Sequence, residues 1–227
     1  MFLKYMGAMP EYIYASDDNG IFVNLFVGSH ASLEVGGKQV GISQQTEYPW
    51  DGIISITLEP ESASVFSVRI RIPGWAQGVE NPFGLYVSKA EGTPVITVCG
   101  NEIPFQLENG YAVVSRKWEP GDEIVVGIPM NPRFVTAHPD VKQLNGKVAI
   151  ACGPVVYSLE NIDNEGFGGA VEKDITLEKR WHPELLGGIN TIVGLKDGKE
   201  LFTAIPYYAL GNRPPESGYT TWIDMAE

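Results

Sequence analysis

The apolar residues of this chain alternate with polar ones, in short runs that turn residues keep cutting off. In "DGIISITLEP", Ile54, Ile56 and Leu58 fall on one side and Ser55 and Thr57 on the other. That is the two-residue period of a half-buried strand. In "SVFSVRIRIPGW", Val65 or else Phe66 joins Val68, Ile70 and Ile72 on one face, while Arg69 and Arg71 take the other. Between such runs stand Asp17-Asp18-Asn19-Gly20, Gly36-Gly37, Gly100-Asn101, Asn109-Gly110 and Pro120-Gly121-Asp122. These sequences supply positive φ or a pre-set bend. Roughly seven or more short strands at this spacing indicate a β-sandwich or jelly roll. With 26 Gly and 16 Pro, the chain cannot sustain a continuous helical bundle.

The first β unit ends near Met130, where "NPRFVTAHPD" reads as a Pro-rich connector. The second unit starts at "GKVAIACGPVVYSLE". Within it, "NIDNEGFGG" (161–169) reads as a flexible acidic loop, and "HPELLGGI" as a connector or a single helical turn. The start, "MFLKYMGAMPEYIYA", reads as the last turns of a helix ended near Pro10 and then a strand. The expected architecture is therefore all-β. Two consecutive β-sandwich or jelly-roll-like domains, 15–130 and 131–227, follow a short N-terminal helical stub, 1–14.

Composition narrows the partners. Hydrophobic residues make up 44% of the chain, enough to order it. No window approaches the ~18 consecutive apolar residues that a bilayer span requires. The net charge of −12 argues against nucleic acid or an anionic membrane as the main partner, since both select basic patches. No export signal is legible: Lys4 is the one early positive charge, and no long apolar stretch follows before Pro10.

No strong constellation for chemistry stands out. His30, His138 and His182 lie far apart, without Cys, His or Glu at ligand spacing. Cys99 and Cys152 sit in the strand-like runs "VITVCG" and "VAIACGPVVY" and read as small buried hydrophobes. A disulfide between them stays open. Paired carboxylates mark glycoside hydrolysis; Glu160, Asp163 and Glu165 are the candidates, against the simpler reading of a solvated acidic loop. Trp50, Trp75, Trp118, Trp181 and Trp222, with Tyr48, Tyr207 and Tyr208, could form a sugar-stacking platform. Each lies beside a strand rather than in an exposed loop cluster, which favours packing.

Six phrases, taken in order, carry a family resemblance: "GIFVNLFVGSHA", "QQTEYPWDG", "SVRIRIPGWA", "NGYAVVSRKWEPGDEIVVGIPM", "GKVAIACGPVVYSLENIDN" and "TAIPYYALGNRPP…TTWI". Together they resemble the C-terminal half of glycoside hydrolase family 127 and its relative family 146, the β-L-arabinofuranosidases. The resemblance implies an (α/α)6 barrel followed by β-sandwich domains, with catalysis in the barrel. There a zinc ion held by cysteines and a glutamate activates a cysteine nucleophile, and a glutamate serves as acid/base. Zinc lowers the pKa of the thiol and fixes its geometry.

Met1-Phe2-Leu3 takes the place of the Arg-Phe that follows the barrel's Cys-Cys-Pro-x-Asn motif, so that motif would fall upstream of Met1. The stub then reads as a remnant of the last barrel helix. Cys99 and Cys152 match neither the zinc nor the nucleophile positions, and Glu47 and Glu160 match phrases of the non-catalytic domains. The resemblance thus implies no catalytic, metal-binding or cofactor-binding residue in this chain, and no cofactor of its own. The expected role is that of non-catalytic accessory domains, inactive alone. The alternatives are a carbohydrate-binding module, or an assembly domain using the face that normally packs on the barrel. Under the last, Phe2, Leu3, Met6 and Met9 would lack their barrel partners, and the stub is expected to drive self-association, to be disordered, or to refold onto the sandwich.

Overall fold

The computed structural model describes residues 2–81, 83–89, 92–172, 174–212 and 218–226. The chain forms two compact units. The first comprises Met1–Pro73 and Gly92–Pro129; the second comprises Gly74–Glu91 and Met130–Glu227. The fold is all-β apart from the short helix Phe2–Ala8 and single turns of 3-10 helix. Among the described residues, no helix is long and apolar enough to cross a membrane.

Helix Phe2–Ala8 gives way to a 3-10 turn, Met9–Tyr12, which carries Pro10 in its first positions where no N–H is needed. The first unit then lays down two sheets. One has five strands in the order Tyr14–Asp17, Gly20–Val23, Ser64–Arg71, Tyr111–Trp118, Leu107–Glu108. Gly20–Val23 and Ser64–Arg71 run parallel, and the other pairs are antiparallel. The other has six strands in the order Ser29–Val35, Lys38–Thr46, Ile53–Pro60, Asp122–Gly127, Val95–Val98, Asn101–Ile103.

The alternation read from sequence decides which side chains go inward. Ile54, Ile56 and Leu58 are fully buried. On Ser64–Arg71, Phe66, Val68 and Ile70 are buried, whereas Val65 is 78% exposed, so Phe66 is the residue that joins the inner face. Trp118 is fully buried and donates its indole N–H to the Phe66 carbonyl at 3.0 Å. Gln44 and Tyr14 tie the two sheets: Gln44 donates to the Tyr14 hydroxyl at 2.9 Å, and that hydroxyl bonds Ser29 at 2.9 Å.

The second unit is built on one curled ten-stranded sheet. Its main path runs Ala170–Val171, Ile223–Met225, Lys147–Cys152, Val155–Glu160, Lys199–Pro206, Ile189–Lys196, Thr176–His182. Pro132–Ala137 pairs with Lys147–Cys152 on one side and with Tyr86–Ser88 on the other. The "NPRFVTAHPD" stretch is thus a strand rather than a connector: Pro132 stands at the strand's first position, where its missing N–H is tolerated. The same ladder draws Gly74–Glu91 into this unit, with Ala137 opposite Tyr86 and the His138 N–H bonded to Leu85 O at 2.7 Å.

Large residues of Lys147–Cys152 face one core. Val148, Ile150 and Cys152 pack there with Tyr157, Leu159, Ile192 and Phe202. The alternate residues, Ala149 and Ala151, face a second apolar cluster with Val135 and Trp222. A strand buried on both faces reads as a continuous apolar run.

The loop after Val155–Glu160 is pinned. Asn164 donates to Glu160 O and Thr203 O and accepts from the Thr203 N–H, and Phe167 meets Phe202 edge-on at 5.4 Å. "HPELLGGI" forms turns without a helix. Gly188 there is more than an ordinary turn residue: at φ 110°, a Cβ would stand 2.6 Å from the Trp181 ring.

Candidate functional site

The strand "KVAIACG" creates a hollow by its own alternation. Val148 and Ile150 fill the core side, while Ala149, Ala151 and Gly153 leave the other side shallow. Over that floor lies a cavity of 440 Å³. This falls in the lower part of the ~300–1,000 Å³ range typical of small-ligand sites. Trp75, Tyr86 and Trp222 wall it, with the Tyr86 and Trp222 ring centroids 5.8 Å apart.

The polar groups of the hollow are Glu80, Arg133 and Thr221. Arg133 is buried and reaches Glu80 with both prongs of its fork: Nε donates to Oε1 at 2.6 Å and Nη2 to Oε2 at 3.0 Å. Nη1 donates to Gly153 O at 3.0 Å, and the guanidinium lies 5.3 Å from the Trp75 ring centroid. Ser88 donates to the same Glu80 carboxylate. Burial pushes the Glu80 carboxyl up, but the hydrogen bonds from Arg133 and Ser88 and the Arg133 charge outweigh it. The carboxyl is held below its usual range. Gly153 sits at φ 55°, where a Cβ would meet Met130 Cε at 2.2 Å, so the floor there depends on glycine.

The residues singled out in the sequence scatter. Trp75 and Trp222 enter the hollow; Trp118 is core; Trp181, Tyr207 and Tyr208 are more than half exposed. Trp50 and Tyr48 are half-buried, and Tyr48 meets Phe26 edge-on at 5.4 Å. Glu160 is buried and accepts from the Gly211 N–H at 3.3 Å, while Asp163 and Glu165 are exposed. Exposed Glu47 stands beside a turn of the first unit.

Cys99 is a correction. It is exposed, at φ 47° in the turn between Val95–Val98 and Asn101–Ile103, and donates its thiol to Asp122 Oδ1 at 3.3 Å. The following Gly100 makes this a hairpin turn, which turns Cys99 out of the core. Cys152 is buried in the second unit, its thiol bonded to Met130 O at 3.2 Å, and both cysteines are free. His30 is exposed in the first unit; His138 and His182 bond Asp140 and Glu184 in the second. Among the described residues, no three His, Cys, Asp or Glu side chains gather into a metal-holding group.

Tyr86, Glu80 and Arg133 escape sequence reading. The one legible signal is Arg133 itself, the single charge within the apolar strand Pro132–Ala137.

Comparison with known proteins places both units. Residues 20–130 match the model for "Beta-L-arabinofuranosidase, GH127 middle domain", and residues 132–224 match the "Glycoside hydrolase family 127 C-terminal domain". A non-reducing end β-L-arabinofuranosidase of Bifidobacterium longum is 30% identical over 205 residues, 83% of this chain and 28% of that protein. A solved GH127 β-arabinofuranosidase superposes with a TM-score of 0.87 at 31% identity, covering 98% of this chain and 37% of that one. A GH127 β-L-arabinofuranosidase from Geobacillus stearothermophilus T6 gives 0.85 at 32% identity, with 99% and 36% covered. The chain thus spans 28% to 37% of the length of these relatives. By the two matched models and the shared fold, the chain belongs to glycoside hydrolase family 127, of which it carries the middle and C-terminal domains.

Proposed function

We propose that the two units are non-catalytic accessory domains of a β-L-arabinofuranosidase-type glycoside hydrolase, and that bond cleavage belongs to a part of the enzyme outside this chain. The observation that carries this reading is the match of residues 20–130 and 132–224 to the middle and C-terminal models of the family. The cysteines support it. Cys99 lies in an exposed turn with its thiol on Asp122 of the same unit, and Cys152 is buried in the other unit with its thiol on the Met130 carbonyl.

Met6, Met9 and Tyr12 are 52%, 47% and 64% exposed. We infer that this N-terminal segment packs against the catalytic domain, and that without that domain it supports self-association. Phe2 and Leu3, expected to share that role, have side chains outside the described part of the structure.

The test is an assay of this chain on p-nitrophenyl β-L-arabinofuranoside with added zinc. The expected result is no turnover. Turnover abolished by Cys99→Ser or Cys152→Ser overturns the reading. Light scattering tests the segment: a Met6→Lys/Met9→Lys variant that self-associates as strongly as the parent contradicts it.

A further inference from the structure

We propose that the hollow walled by Trp75, Tyr86 and Trp222 in the second unit binds a neutral saccharide, with its hydroxyls bridging Arg133 and Glu80. Three features of the cavity select that chemistry.

The first is charge. Among the described residues, Glu80 and Arg133 are the two charged ones lining the cavity, and they cancel each other in a bidentate pair. The site offers no net charge to a phosphate, a carboxylate or an amine.

The second is hydrogen-bonding capacity. A guanidinium has five N–H donors, and the bonds to Glu80 and Gly153 O occupy Nε and one hydrogen each of Nη1 and Nη2. The carboxylate of Glu80 has about four lone-pair sites and accepts two bonds from Arg133 and one from Ser88. A fixed donor beside a fixed acceptor suits a group that both accepts and donates. Hydroxyls and amides both do so, and adjacent hydroxyls on a sugar ring present the two functions in pairs beside a C–H face that the aromatic wall can receive.

The third is the aromatic wall. Tyr86 and Trp222 lie with ring planes 32° apart; Tyr86 is exposed, and Trp222 is half-buried against the Val135, Ala149 and Ala151 cluster. Aromatic faces of this kind receive the C–H face of a sugar while its hydroxyls turn to the polar groups. The floor, Ala149, Ala151 and Gly153, keeps the space open.

The test is a titration of this chain with L-arabinose, D-galactose and D-xylose, followed by tryptophan fluorescence and saturation-transfer NMR. Thermal melts confirm that each variant is folded. The expected result is saturable, roughly millimolar binding of at least one of them. Trp222→Ala and Ala151→Leu, which fills the floor, weaken it about tenfold or more. Trp181→Ala, distant in sequence and absent from the cavity lining, leaves it unchanged.

The choice of L-arabinose as first probe rests on the function proposed above. Binding of D-galactose or D-xylose alone, with the same Trp222 dependence, still establishes the site and leaves that reading to its own assay. Three outcomes overturn the proposal: no saturation by any of the three sugars, affinity unaltered in both cavity variants, or tighter binding of D-galacturonate than of D-galactose.

Discussion

Arg133 and Glu80, 53 residues apart in sequence, meet as a two-pronged ion pair in which the arginine side chain is 5% exposed. The pair joins Pro132–Ala137 to the segment that precedes Tyr86–Ser88, and these two strands are themselves hydrogen-bonded. A charge so buried must be fully paired, because removing it from water costs several kcal/mol per ion. The pair therefore ties the segment around Glu80 to Pro132–Ala137 within the second unit.

The first prediction is a double-mutant cycle. Glu80→Gln leaves Arg133 charged, buried and without its counter-ion, and is expected to cost about 3–5 kcal/mol. Arg133→Met costs a similar amount by stranding Glu80. The double variant Glu80→Gln/Arg133→Met removes both charges and is expected to lose clearly less than the sum. Urea unfolding of the four proteins at neutral pH measures the coupling. Additive losses would show that the two side chains act independently.

The pH dependence of the same pair has a definite sign. Glu80 titrates below its ordinary value in the folded chain, so the unfolded chain binds its proton more readily. The stability from this group is fully present above the unfolded carboxyl pKa of about 4.3 and is lost as pH falls through the folded value. The parent Tm is expected to fall on acidification below that range. Glu80→Gln starts lower at neutral pH and shows a flatter acid limb. Parallel acid limbs in the two proteins would contradict the assignment.

The strands of the first unit were legible because one physical rule governs them: alternate side chains face a core or solvent. Ile54, Ile56 and Leu58 follow it. Phe66 follows it too, in step with Val68 and Ile70, which leaves Val65 on the solvent side. The stretch around Pro132–Ala137 reads as a connector because Asn131, Pro132 and Pro139 look like punctuation, although a strand tolerates proline at its first residue. Cys99 reads as a core residue from its neighbours, but its strand stops one residue earlier than the apolar run suggests. The hollow was half legible. Trp75 and Trp222 stood out by residue type, but their convergence with Tyr86, Glu80 and Arg133 depends on strand pairing between segments far apart in the chain.

The two cysteines are expected to differ sharply in reactivity. Cys99 is exposed at a turn, whereas Cys152 is buried and burial pushes its thiol up. Since the thiolate is the reactive form, Cys152 is protected twice over. In the native chain a thiol reagent such as DTNB should modify Cys99 quickly and Cys152 only on unfolding. Cys99→Ser should abolish the fast phase. A fast phase that survives in Cys99→Ser would place Cys152 at the surface.

Gly194 is where the second unit has no spare room. A Cβ there would lie 2.2 Å from the ring of Phe202, which is 3% exposed and held edge-on against Phe167. The ring cannot swing away without displacing the loop that Asn164 anchors to Thr203. Gly194→Ala is therefore expected to cost about 1–3 kcal/mol, the range for overpacking a filled core. Gly127→Ala, also within a strand, adds a methyl 3.7 Å from Ile53 Cδ1, an ordinary contact, and should change stability by less than about 0.5 kcal/mol. If the clash with Phe202 causes the loss, Phe202→Leu in the Gly194→Ala background makes space for the added methyl. The double variant should then be more stable than the two single losses added together. Strict additivity would mean that the cost of Gly194→Ala lies in the backbone at the bulge between Gly194 and Leu195.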